Sequence, residues 1–134
     1  MTINQATDYA LRAVLYLARQ PQGEVTEAQS ISGQEVIPMR FLLKIMPSLI
    51  KAGIVKSFRG VGGGYALAKE PGEISFLDVV EAVEGPIALN RCLNDYAFCS
   101  KKGAPNCQIH QALADVQAKL IAELQGHNFA ELVE

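Results

Sequence analysis

The chain has 134 residues, 49% hydrophobic and 19% charged, with three cysteines, two histidines and a net charge of −2. That balance suffices for the core of one domain and argues against disorder, and no apolar run approaches the ~20 residues that span a bilayer. The N-terminus carries neither a basic segment nor a small-residue cleavage site, which points to a cytoplasmic protein, where clustered cysteines read as metal-binding or redox-active rather than as structural disulfides.

Tyr9, Ala10, Ala13, Val14 and Leu17 recur at helical spacing, with Thr7 as the predicted cap and Pro21-Gln22-Gly23 as the stop. Thr26-Glu27-Ala28-Gln29 has the form of a capping box, opening a short second helix that Gly33 closes. Pro38 suits the first position of a third helix, whose apolar face is Phe41, Leu42, Ile45, Leu49 and Ala52 and which Gly53 stops. Two β-prone runs, 54–58 and 65–68, flank Arg59-Gly60-Val61-Gly62-Gly63-Gly64 and predict a hairpin with a flexible tip. Ser75-Phe76-Leu77-Asp78 opens a fourth helix that runs to about Gly85-Pro86. Beyond a cysteine-bearing segment, Leu113, Val116, Leu120, Ile121 and Leu124 mark a long helix ending near Gly126, and Asn128–Glu131 reads as a capped terminal turn.

Three helices followed by a two-stranded hairpin is the order of a winged helix-turn-helix. The predicted fold is mainly α with a small β-hairpin wing. It divides into a DNA-binding domain over 1–85, a Cys-rich loop over 86–110, and a dimerisation helix with its terminal turn over 111–134. The long helix is assigned to a dimer interface because its apolar stripe has no evident partner once the N-terminal core is built; packing back on its own domain is the alternative. Charge is uneven along the chain. Residues 1–69 carry eight Lys/Arg against four Asp/Glu, and residues 70–134 carry four against ten, a basic half suited to nucleic acid and an acidic half that is not.

Met39, Arg40 and Lys44 would face the major groove from the start of the third helix, Arg40 on guanine acceptors or phosphate and Lys44 on phosphate. Arg59 would enter the minor groove and Ser57 would donate to a phosphate, while Gly60, Gly62, Gly63 and Gly64 keep the wing slim. A nucleotide-phosphate loop does not fit here. Tyr65 stands where the third glycine of G-x-G-x-x-G belongs, and no Lys-Ser/Thr pair opens a helix afterwards.

Cys92, Cys99, Cys107 and His110 fall in one short stretch. Thiolate and imidazole are ligands of soft and borderline metals. An iron–sulfur cluster, a zinc ion and a metal-free thiol switch all suit this set. An enzyme built on Cys107 and His110 lacks an oxyanion hole and an orienting third residue, so no catalytic residue is assigned. His127, without Cys neighbours, reads as a surface residue.

Three runs, Thr7-Asp8-Tyr9-Ala10-Leu11-Arg12, the stretch from Lys51 to Gly62-Gly63-Gly64-Tyr65, and Ile74 to Gly85, strongly resemble the IscR/NsrR family of bacterial iron–sulfur transcriptional regulators. The resemblance covers nearly the whole chain. It implies a dimeric winged-helix regulator, a repressor on a palindromic operator in double-stranded DNA, with crossed C-terminal helices and a cluster near the dimer interface. Cys92, Cys99 and Cys107 match the three family cysteine ligands by order and location; their spacing, C-x6-C-x7-C, is longer than is usual there. His110 matches the fourth ligand of the [2Fe–2S] type. Asp8 matches the carboxylate that nitric-oxide-sensing relatives contribute from the other subunit to a [4Fe–4S] cluster. The implied cofactor is an iron–sulfur cluster, [2Fe–2S] ahead of [4Fe–4S]. Leu43 departs from the polar residue often found at its position in DNA-reading members. The rival reading, from another class, is a winged-helix module that binds protein and never DNA.

Overall fold

The computed structural model of the chain describes residues 3–90, 93 and 107–133. Helices α1 (Gln5–Ala18), α2 (Ala28–Glu35) and α3 (Met39–Lys51) precede an antiparallel hairpin of β1 (Val55–Phe58) and β2 (Gly64–Leu67). Helices α4 (Phe76–Glu84) and α5 (Gln108–Gly126) follow, with short 3-10 turns at Pro71–Glu73 and Ala130–Leu132. This is the predicted winged-helix order.

The apolar face expected for α1 is buried throughout, but its cap is Asn4 rather than Thr7. Asn4 Oδ1 accepts from the Thr7 N–H at 2.9 Å, satisfying one of the orphan donors of a helix start. Thr7 lies within the first turn, fully buried, and its hydroxyl donates to Glu84 Oε2 at the end of α4. A hydroxyl in that position needs a partner, and here it comes from a residue remote in sequence.

Thr26 forms no capping box either. Its N–H and its carbonyl both pair with the Tyr65 backbone at 2.8 Å, so it adds a one-residue third rung beside the wing. Glu27 takes the cap position of α2 without a side-chain bond, and the helix runs through Gly33 to Glu35. Val36 then ends it at φ 55°. A β-branched residue in this left-handed region is strained by about 1–2 kcal/mol, and Val36 is 77% exposed, so little burial offsets the strain.

Pro38 is the N-cap of α3, and Leu42, Ile45, Met46 and Leu49 form its buried stripe. Each fully buried side chain of this size contributes about 1.5–3 kcal/mol. Pro47 sits inside the helix; lacking an N–H, it withholds the regular intrahelical donor from the Leu43 carbonyl. The capping box expected at α4 is present. Asp78 N–H donates to Ser75 Oγ at 3.1 Å and Ser75 N–H to Asp78 Oδ2 at 3.0 Å.

The C-terminal part departs from the predicted division in three ways. First, α5 starts at Gln108, ahead of residue 111, so Cys107 is its N-cap and His110 lies in its first turn. Second, Leu120, Ile121 and Leu124 pack on a cluster of Leu77, Val80 and Ile87. The distal half of the stripe assigned to a dimer is thus covered within the chain. Third, Phe129 from the terminal turn is a buried member of the N-terminal core, held by its N–H on the Ile74 carbonyl at 3.3 Å and by Phe76 N–H on the His127 carbonyl at 2.9 Å. Residues 127–129 therefore pack with the N-terminal body. No helix among the described residues is long and apolar enough to cross a membrane.

Candidate nucleic-acid interface and metal-binding segment

With its buried stripe turned inward, α3 leaves Arg40, Leu43, Lys44, Pro47, Ile50 and Lys51 exposed. The Arg40 guanidinium lies 5.0 Å from the Phe41 ring centroid, and Phe41 packs 5.9 Å from Tyr9 of α1. A cation–π contact at an exposed site contributes about 0.5–1 kcal/mol. It links Arg40 to α1 through the Phe41 ring, which is tilted 45° to that of Tyr9. Met39 corrects an expectation. It is half-buried and packs against the core, because it stands three and seven residues ahead of Leu42 and Met46, on the same stripe. Of the three helix residues assigned to DNA, only Arg40 and Lys44 are on the outer face.

In the wing, Val55 pairs with Leu67, Ser57 with Tyr65 and Phe58 with Gly64. Ser57 and Arg59 are exposed beyond the buried base. Gly63 N–H closes the tip on the Gly60 carbonyl at 3.0 Å, and Gly60 and Gly62 adopt φ of 86° and 78°, which favours glycine. Gly63 and Gly64 serve the hairpin itself. A Cβ at Gly63 would collide with the Phe58 carbonyl, and one at Gly64 with the Thr26 backbone. The fully exposed tip is therefore Arg59 to Gly62.

Cys92 and Cys99 lie outside the described residues. Cys107, half-buried with a free thiol, caps α5, and His110 is buried one turn later. Residues three apart share a helix face, so two of the four expected donors lie on one side of α5. Among the described residues no three of His, Cys, Asp and Glu assemble as metal ligands. The donor chemistry, three thiols with an imidazole, fits iron–sulfur ligation and also a structural zinc ion. Ahead of the cysteine segment, Leu89 N–H donates to Gln117 Oε1 of α5 at 2.9 Å. Asp8, the alternative fourth ligand, pairs with Arg12 Nη2 at 2.6 Å.

His127 is a surface residue, as expected, but a paired one. Its Nδ1 is 2.7 Å from Glu131 Oε1 and its Nε2 3.3 Å from Glu123 Oε1. Hydrogen bonds to Glu131 first, and then to Glu123, raise its pKa above 6.5.

Residues without a local signal in the sequence connect these parts. Glu84, which accepts from Thr7, is the last residue of α4, and the cysteine segment follows. Further along α1, Arg12 Nη1 donates to the Glu35 carbonyl at 3.1 Å, just ahead of strained Val36 and α3. Helix α1 thus touches both the exit of α4 and the turn that aims α3. Thr7 and Glu84 stand 77 residues apart, beyond the reach of any periodicity.

A helix-turn-helix followed by a glycine-tipped hairpin, with cations outward on both, defines a winged-helix DNA-binding protein. The Rrf2 family model, described as an iron-dependent transcriptional regulator, matches residues 3–134, and the chain belongs to that family. It is a transcription regulator and not an enzyme. Among solved structures it is similar to IscR of T. potens, with 24% identity and a TM-score of 0.74 over 99% of this chain and 86% of that one. Oxidized CymR of Staphylococcus aureus gives 22% and 0.75 over 100% and 97%. CymR (YrzC), the global cysteine regulator of B. subtilis, gives 29% and 0.70 over 99% and 96%. These likenesses concern the fold.

Proposed function

We propose that this Rrf2 regulator acts in the cytoplasm as a homodimeric repressor on a palindromic operator, its affinity set by an iron–sulfur cluster. Cys92, Cys99, Cys107 and His110 would hold the cluster, [2Fe–2S] ahead of [4Fe–4S], with Asp8 of the other subunit as the alternative fourth ligand. The observation that carries the reading is that Cys107 stands at the N-cap of α5 and His110 in its first turn, while Leu89, ahead of the cysteine segment, is tied to the same helix. When bound, the cluster supplies a group sensitive to redox state, iron–sulfur supply and nitric oxide.

On the DNA side, Arg40 and Lys44 would lie in the major groove, with Arg59 in the minor groove and Ser57 on phosphate. On the input side, any reordering of the loop bears first on the end of α4. There Glu84 holds Thr7, and α1 in turn holds the Glu35 carbonyl through Arg12. A small rigid displacement of α1 would shift the turn before α3 and its aim. Exposed Ile109 and Val116, at 67% and 53%, support a dimer contact along the proximal half of α5.

Anaerobic purification with iron and sulfide analysis tests the cofactor. Visible absorption is expected with acid-labile sulfide, and loss of both on Cys99→Ala. A colourless, iron-free chain after reconstitution would contradict the cluster. A cluster-free thiol switch is the second reading. Likeness to the global cysteine regulator of B. subtilis favours it, and it would form a disulfide without binding iron.

A further inference from the structure

Arg40, Leu43, Pro47 and Ile50, spaced three, four and three residues apart, form one stripe along the outside of α3. Three of the four are apolar. Leu43 is 50% exposed and Ile50 37%, and Leu43 belongs to neither hydrophobic cluster. Beyond Arg40, no side chain of this stripe can donate or accept a hydrogen bond. An apolar strip lined up on the outer face of a helix is a surface suited to an apolar partner.

The cations around it indicate the occupant. Arg40 begins the stripe, Lys44 and Lys51 border it, and Arg59 leads the wing that follows α3; all four are exposed. Apolar centre and cationic surround match a DNA major groove with a hydrocarbon group on its floor. Thymine alone among the four bases displays a methyl there. A leucine set against any other pair desolvates donors or acceptors that it cannot satisfy.

We propose that Leu43 is a specificity-determining residue, reading a thymine methyl in each operator half-site about one base pair from the base that Arg40 contacts. Three residues of helix rise about 4.5 Å, close to one base-pair step. The proposal rests on the reading that α3 lies in the major groove.

The test uses the full chain, purified anaerobically with its native cofactor content, on an operator selected from a random duplex pool. Deoxyuridine, which lacks only the methyl, replaces thymine at each half-site position in turn. One position is expected to weaken wild-type binding about fourfold per methyl, from ~0.8 kcal/mol per buried methyl-sized group. Leu43→Ala, a change that a solvent-facing helix position accepts, should bind thymine and uracil operators alike. Equal wild-type affinity for both DNAs, or a Leu43→Ala chain as methyl-sensitive as wild type, would overturn the assignment while Arg40→Ala still weakens binding. Full binding by both Arg40→Ala and Arg59→Ala would instead take α3 out of the groove, and the proposal would fall with it.

Discussion

Helix α3, thirteen residues long, buries four side chains in the main core, whereas nineteen-residue α5 buries only His110. Both carry apolar stripes in sequence. The stripe of α3 is packed by α1, α4, α2 and strand β1, which leaves its opposite face free to carry cations. Among the described residues, that of α5 is packed where Leu120, Ile121 and Leu124 meet Leu77, Val80 and Ile87. Its first turns, beside Cys107, leave Ile109 in water. Among the described residues the buried contacts concentrate in α3 and its neighbours, and the start of α5 makes few of them.

The sharpest way to break this contrast is to truncate each helix. Leu49→Ala in α3 should cost about 2–5 kcal/mol, read as a large loss in urea midpoint. Val116→Ala in α5 should change monomer stability by under about 0.5 kcal/mol, while raising the dimer dissociation constant in sedimentation. Equal losses in the two variants would erase the distinction. Next in size, Arg59→Ala should weaken operator binding by about 1–3 kcal/mol, roughly ten- to a hundredfold, in fluorescence anisotropy. Its melting temperature should match wild type, because the side chain is exposed. Retained affinity would leave the wing without a DNA role.

A smaller effect is expected at the turn ahead of α3. Val36→Gly removes the strain of a β-branched residue at positive φ and should raise stability by up to about 1 kcal/mol in thermal melts. A fall instead would mean that the exposed valine has a stabilising contact. The smallest effect concerns the far end of α5. The folded-state pKa of His127 lies above 6.5, so its bonds to Glu131 and Glu123 contribute fully below about 6.5 and fade as pH rises through the raised value. Across that window wild type should lose stability relative to His127→Gln. A constant difference between the two would remove the charge-dependent clamp.

Local patterns were legible wherever the residues that form an element also complete it. The Ser75–Asp78 box closes on itself, and its reading holds. Thr26 to Gln29 has a similar pattern, yet the backbone of Thr26 is taken by Tyr65, a long-range pairing that no local rule registers. Thr7 failed as a cap for the same reason, its hydroxyl being claimed by Glu84. Met39 was misjudged through phase, since it falls on the buried stripe defined by Leu42 and Met46. The long stripe of α5 was visible as a stripe, but periodicity shows that an apolar face exists and not what covers it. The three cysteines drew attention by their chemistry alone. The Arg12 bond to the Glu35 carbonyl left no trace in the sequence.

The most direct measurement is operator affinity of one anaerobic preparation before and after its iron is stripped by chelation under reducing conditions. Control of α3 by the cysteine segment requires the two dissociation constants to differ by about tenfold or more, equivalent to ~1.4 kcal/mol of coupling, with Thr7→Val narrowing the gap. Identical constants for loaded and stripped protein would contradict that control.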